Sequence, residues 1–193
     1  MEYGLLLQNI AKHIQLSADE EKYFLSLWQT KKLRRKQFLQ QEGEVTKNVV
    51  FVVSGLLRMY SIDKNGFEHI LQFAPPGWWI GDIKSYLSQQ PGNLYIDTLE
   101  DCEILLMEKD QLDQLYGNVP SFERFFRILA ENSLATYQQR LIDILSLPAI
   151  ERYNNFCRLY PSLIECLPQK QVASYIGVTP EFLSKMLSGK QTS

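Results

Sequence analysis

"PQKQVASYIGVTPEFLSKMLSG", residues 168–189, reads as two short helices around a glycine. Counting from Gln169, Ala173 stands four residues on, Gly177 eight, Leu183 fourteen and Met186 seventeen. A helix-turn-helix wants those residue types there. A small residue lets two helix axes approach, a glycine takes the left-handed turn, and apolar residues of the second helix cover the first. The spacing predicts Val172, Ala173 and Ile176 as the inner face of the first helix, and Phe182, Leu183, Met186 and Leu187 as that of the second. Thr179 is the predicted N-cap and Pro180 suits the first turn. Left outward are Pro180, Glu181, Ser184, Lys185 and Ser188. Taken alone, ordinary core packing explains the pair equally well.

The chain before it supplies context. "SFERFFRILAENSLATYQQRLIDILSL" (121–147) holds neither Gly nor Pro and is closed by Pro148, so one long helix is predicted. At ~1.5 Å per residue it extends about 40 Å, more than a small domain is wide. Phe126, Leu129, Ser133, Leu134, Tyr137, Leu141 and Ile144 fall near one stripe at three- and four-residue spacings. That stripe favours a two-fold seam between two copies over burial within one. "AIERYNNFCRLYPSLIECL" then gives another helix, ended near Pro161. From Arg140 onward six basic residues (Arg140, Arg152, Arg158, Lys170, Lys185, Lys190) face four acidic ones (Asp143, Glu151, Glu165, Glu181). The tail is therefore +2 within a chain of formal charge −2, which leaves −4 on the remainder.

From about residue 33 to Met107 the texture is different. Runs such as "VVFVVSG", "LLRMYSI", "FEHILQFA", "LYIDTL" and "EDCEILLME" are separated by turn residues every 8 to 12 positions, the rhythm of an antiparallel barrel or sandwich. Asn65-Gly66 predicts a hairpin with a type I′ turn, positive φ at both central positions. Residues 5–29 show helical spacing broken at "LSADEE", where Ser17 and Glu20 fit a capping box, so two short helices are expected. "EKDQLDQLY" (108–116) reads as a short helix running to Gly117 and Pro120.

Composition bounds the answer further. With 193 residues, 45% of them hydrophobic, the chain can bury the core of one or two domains. Its longest apolar run, "NVVFVVSGLLRMY" (48–60), is broken by Gly and Arg short of the ~18 residues of a membrane span. The N-terminus lacks the pattern of a signal peptide, and a cytoplasmic protein is expected. Cys102, Cys157 and Cys166 have no CxxC spacing, which suggests buried free thiols in place of a disulfide framework, zinc site or iron–sulfur site. A cupin-like metal enzyme would need two or more histidines beside a carboxylate. Only His13 and His69 exist, and His69 on a strand reads as a surface residue. Nucleophile-elbow, Walker and Rossmann signatures are missing, so no catalytic residue, metal or cofactor is assigned. The basic run "KKLRRK" (31–36) is read as a solvated face.

A helix-turn-helix at the C-terminus, after a beta domain and one long dimer-type helix, resembles the Crp/Fnr superfamily of bacterial transcription regulators. The resemblance covers essentially the whole chain. "GEVTKNVVFVVSGLLRMY" matches the glycine-rich turn and strand pair of a cyclic-nucleotide-binding-like beta-roll, "PPGWWIGD" its later turn, and "PQKxVASYIGVTPExLSK" a style recurrent among short Crp-like proteins. It implies an α+β fold: an N-terminal antiparallel beta-roll of jelly-roll type, a long dimerisation helix, and a C-terminal helix-turn-helix with a truncated wing. The domains implied are 1–117 for the roll with its N-terminal helices, 118–147 for the dimerisation helix, and 148–193 for DNA binding.

In family members that bind cyclic AMP, a Gly-Glu pair contacts the ribose and an Arg-Ser/Thr step holds the cyclic phosphate. A buried phosphate needs such a charge-assisted, bidentate donor to offset its desolvation. Here Gly81 and Asp82 match the first step, and the register set by "EDCEI" puts Gly92 and Asn93 at the second, with no Arg or Lys between Lys84 and Lys109. Cyclic AMP binding is expected to be absent or weak. The pocket is then vestigial or suits a more apolar ligand, with Trp78, Trp79, Tyr86 and Tyr95 as candidate walls or plain roll aromatics. The cysteine cluster by which the fumarate-nitrate branch holds an iron–sulfur centre is not among these residues.

The family further implies a pseudo-palindromic DNA operator, a second copy of the chain and RNA polymerase as partners, no membrane, and an effector left open. Two recognition helices about 34 Å apart would meet successive turns of DNA. Lys185 would be the main base or phosphate contact, Glu181 would accept from a cytosine amino group, Ser184 would adapt, and Thr179 would donate to phosphate. Gln169 and Lys170 would grip the backbone at the start of the first helix. A second reading stays open: a ligand-sensing or protein-interaction module whose helix pair no longer reads DNA, since the sequence stops at Ser193 where the family continues into a wing.

Overall fold

A computed structural model describes residues 3–165 and 167–189. Cys166, Lys190 and the expected wing remnant lie outside the described residues. The chain divides into a first unit made of the residues up to Ser61 together with Leu71–Glu131, and a second made of Ile62–Ile70 and the residues from Asn132 onward.

The first unit begins with two helices, α1 (Gly4–Ala11) and α2 (Ala18–Ser26). The capping box forms as expected: Ser17 Oγ accepts from the Glu20 amide, and Glu20 Oε2 accepts from the Ser17 amide at 2.8 Å. Strands β1 (Gln29–Leu33), β2 (Phe38–Gln40), β3 (Asn48–Ser54), β4 (Leu57–Ile62), β5 (Glu68–Ala74), β6 (Trp79–Ile80), β7 (Tyr95–Thr98) and β8 (Cys102–Glu108) make two four-stranded sheets, ordered β1-β8-β3-β6 and β2-β7-β4-β5. β1 starts at Gln29, earlier than the change of texture near 33 suggested. Its first four residues are exposed and it is a sheet edge, so no apolar alternation marks it.

β3 explains how the core is arranged. Val50 and Val52 point between the sheets, to Leu57, Met59, Ile96 and Ile104. Phe51 points the other way, into a second core with Leu105, Met107, Phe24 and Phe122. Both faces of the strand are buried, hence the unbroken "VVFVV". Helices α3 (Ile83–Ser88) and α4 (Lys109–Asn118) and the start of α5 (Ser121–Ser146) complete the unit. Phe24 and Phe122 stack at 4.5 Å, fixing α2 on α5.

The turn after β4 differs from the type I′ expectation. Gly66 has φ +82° and Asn65 does not share the positive φ. The Gly66 amide donates to Asp63 O at 3.0 Å, and the Asp63 amide donates to Phe67 O at 3.0 Å. This is a type I turn followed by a left-handed glycine. Asp63 drives the choice, because its Oδ1 accepts from both the Asn65 and Phe67 amides, a bond a two-residue loop would not offer.

In the second unit, the later part of α5 is joined by α6 (Ala149–Leu159), α7 (Gln169–Ile176) and α8 (Pro180–Leu187). Phe156, Tyr160 and Tyr175 form a ring cluster with centroids 5.2 to 5.6 Å apart. Leu163, Leu167, Val172, Ala173, Ile176 and Leu183 are buried with them.

Candidate nucleic-acid interface

The helix pair is set by its turn. Gly177 ends α7 with φ +72°, and its amide and that of Val178 both return to Ala173 O, closing the helix in a left-handed cap. Thr179 then caps α8 through Oγ1, which accepts the Phe182 amide at 3.2 Å, with Pro180 as the first helical residue. Ala173 and Leu183 are fully buried, the small and large sides of the helix contact. Val172 and Ile176 lie inward as the spacing predicted, and Tyr175 joins them.

The second helix departs from expectation in one respect. Phe182 and Leu187, read as inner-face residues, are 43% and 40% exposed. At ~100° per residue, a helix anchored by Leu183 has room inward for Met186 and part of Leu187, but Phe182 lies a quarter turn away. Counting apolar residues gave an inner face wider than an eight-residue helix on a short partner can bury. Glu181, Ser184 and Lys185 are exposed on the outer side, and Thr179, Gln169 and Lys170 are exposed at the N-terminal ends. Pro180 is half-buried.

Three residues that sequence reasoning did not single out hold α7 in place. Ser174 Oγ donates to Glu68 O at 2.6 Å and accepts from the Ile70 amide at 3.0 Å. Arg140 Nη2 donates to Ile70 O and Tyr175 O at 2.6 and 2.7 Å, and its guanidinium carbon lies 3.9 Å from the Tyr175 ring centre. Burial raises the Tyr175 hydroxyl pKa, against the opposing pull of Arg140. Tyr175 was visible as the i+3 neighbour of Val172. Arg140 and Ser174 carry no periodic signal, since their partners are backbone groups: Glu68 O and the Ile70 amide for Ser174, Ile70 O and Tyr175 O for Arg140.

The long helix splits by burial. Phe126 meets Trp79, Tyr116 and Phe125 at 5.2 to 5.9 Å, and it and Leu129 pack on the first unit's core. Ser133, Leu134, Tyr137, Leu141 and Ile144 are exposed, with Leu134 at 69% and Leu141 at 58%. Ile142 and Leu145 are exposed beside them.

At the segment matched to the cyclic-nucleotide steps, residues 81–93 and here called the cassette, Asp82 is buried, and its Oδ1 accepts the Ser85 amide at 3.1 Å as the N-cap of α3. Gly92 pairs with the turn after β2: its amide donates to Glu44 O and its carbonyl accepts from the Gly43 amide, each at 2.9 Å. A Cβ on Gly92 would come within 2.3 Å of Asp82 Oδ2. Asn93 is exposed beyond it. A cleft of about 410 Å³ opens beside Gly81, lined among others by Leu39, Gln40, Glu44, Thr46 and Lys47. The aromatic walls expected there lie elsewhere. Trp79 is core, donating Nε1–H to Asn9 Oδ1. Tyr86 is core too, its hydroxyl pushed up to about 12 chiefly by burial, and Tyr95 stacks on Tyr60. His69 pairs with Asp63 at 3.0 Å on the exposed hairpin.

Comparison with known proteins is consistent with this geometry. Residues 30–118 match the cyclic nucleotide-binding domain family. An anaerobic regulatory protein of Pasteurella multocida is 24% identical over 172 residues, 83% of this chain and 62% of the relative, so the chain spans less than two thirds of that relative's length. Among solved structures, FixK2 of Bradyrhizobium japonicum superposes with a TM-score of 0.73 at 20% identity, covering 84% of this chain and 83% of that one. The c-di-GMP-responsive global regulator CLP of Xanthomonas campestris gives 0.71 at 14% identity, covering 90% and 91%. With a cyclic nucleotide-binding-type roll, a long helix and a terminal helix-turn-helix in that order, the chain shares the fold of these solved regulators, and residues 30–118 carry the match to the cyclic nucleotide-binding domain.

Proposed function

We propose that this protein is a sequence-specific DNA-binding transcription regulator, acting as a homodimer and not answering to cyclic AMP. The observation that carries the reading is the outward face of α8: Leu183 anchors the helix while Glu181, Ser184 and Lys185 stand in solvent beside an N-terminus capped by Thr179. Lys185 is assigned to guanine or phosphate, Glu181 to a cytosine amino group, Ser184 as an adaptable contact, and Thr179, Gln169 and Lys170 to the DNA backbone. Pro180 sets the first turn.

Dimerisation is assigned to the exposed stripe Ser133, Leu134, Tyr137, Leu141 and Ile144. A stripe this apolar and this exposed is what a second copy of the same helix covers. RNA polymerase is the downstream partner of such a regulator, and the cytoplasm its place. Silence toward cyclic AMP is supported at the cassette, where the amide of Gly92 is already bonded and a carboxylate, Asp82, caps α3. Gly81, Asp82, Gly92 and Asn93 then serve as scaffold.

Selection of genomic fragments at low salt tests the reading. An enriched inverted repeat is expected, with affinity falling as salt rises through three or four phosphate contacts per subunit, about that many counterions each. Lys185→Ala should lose about 1 to 3 kcal/mol and relax specificity at one position per half-site. No enrichment at any salt would leave the non-reading module as the better account.

A further inference from the structure

We infer that Phe182 determines sequence preference by reading a thymine methyl group in the major groove. The inference rests on the DNA-reading role proposed above. Leu183 is fully buried and so fixes the rotation of α8. At ~100° per residue, Phe182 lies about 60° from Lys185 around the axis, as its i, i+3 neighbour, and next to Glu181 in the chain. It therefore stands on the flank of the outward face, with Lys185 and then Glu181 on one side and the half-buried Met186 on the other.

Its exposure is 43%, and a phenyl ring has no polar atom with which to recover that cost in water. Its amide is tied to Thr179 Oγ1, so it sits in the first turn of α8, the end of a recognition helix that reaches base edges. Only the pair A·T presents a methyl group in the major groove, and apolar contact with that methyl is an established mode of readout for phenylalanine. The rim of Glu181, Ser184 and Lys185 matches base-edge donors and acceptors. A half-site should then place a thymine within a base pair or two of the positions read by Glu181 and Lys185.

The test uses the full chain and the inverted repeat it selects. Each thymine is replaced in turn by deoxyuridine, which removes the methyl and leaves base pairing unchanged. One position per half-site is expected to weaken wild-type binding about four-fold, the size of one buried methyl-sized group. Phe182→Ser should be indifferent to that replacement, and Phe182→Gln, which restores helix propensity, gives the same readout if the serine variant folds poorly. If no deoxyuridine matters to the wild type, or if both variants keep the same sensitivity, the assignment to Phe182 is wrong while DNA reading stands. Failure of the chain to select any repeat removes both.

Discussion

The cassette of the first unit and the helix pair of the second are both short helical turns held by a glycine, and they use their polar groups in opposite ways. In the cassette the polar groups face one another: Asp82 takes the Ser85 amide, Ser85 Oγ donates to Gln90 O and accepts the Thr46 amide, and Gly92 exchanges bonds with residues 43 and 44. In the helix pair the inward side is apolar, and the side chains of Glu181, Ser184 and Lys185 make no hydrogen bond among the described residues. A polar group turned to an internal partner is structure. One held in solvent on a rigid helix is available to a partner.

The largest expected effect lies in the helix pair. Leu183→Ala empties a fully buried site between α7 and α8 and should destabilise the second unit by about 2 to 5 kcal/mol. Circular dichroism should record a loss of helix with the strand signal kept, and DNA binding should vanish. A variant that still bound its operator would show that the outward face does not depend on this anchor. Next comes Gly92→Ala, where the new Cβ meets Asp82 Oδ2 and forces it out of its cap. Overpacking and the lost cap together come to about 2 kcal/mol, or about 4 to 8 °C in the melting of the first unit. DNA affinity should be unchanged, which separates the two regions by experiment.

The sequence made some of this legible and hid the rest for physical reasons. Turn and cap chemistry is local, so Ser17 with Glu20, Thr179 with Pro180, and Gly177 were readable from a few residues each. Strand rhythm was readable because alternation survives wherever one face is wet. β1 was misplaced because an exposed edge strand has no alternation, and the Asn65-Gly66 turn was mistyped because the deciding bonds come from Asp63 two residues earlier. Phe182 was assigned inward because hydrophobicity says what a residue prefers, while the rotation of α8 is set by Leu183 against a partner helix. Arg140 and Ser174 were invisible because a side chain bonded to a distant carbonyl leaves no pattern at its own position.

The smallest expected effect is a null, and it bears most directly on the cassette. A site binding cyclic AMP with micromolar affinity would, at a thousand-fold excess, stabilise the protein by about 4 kcal/mol, or about 8 to 16 °C. No shift is expected here, for two separable reasons: the cassette offers no cation between Lys84 and Lys109, and a carboxylate already caps the short helix where a phosphate would approach. Asp82→Asn tells them apart. Asparagine caps a helix about as well as aspartate, so the fold should hold to within about 1 kcal/mol. If the missing donor is the main barrier, the variant stays silent. If it gains a thermal shift with cyclic AMP, the carboxylate alone was keeping the anion out, and Lys47 beside the cleft would be the cation that then receives it. A shift in the unmodified protein would break the contrast itself, since polar groups turned toward one another would then have proved no obstacle to a ligand.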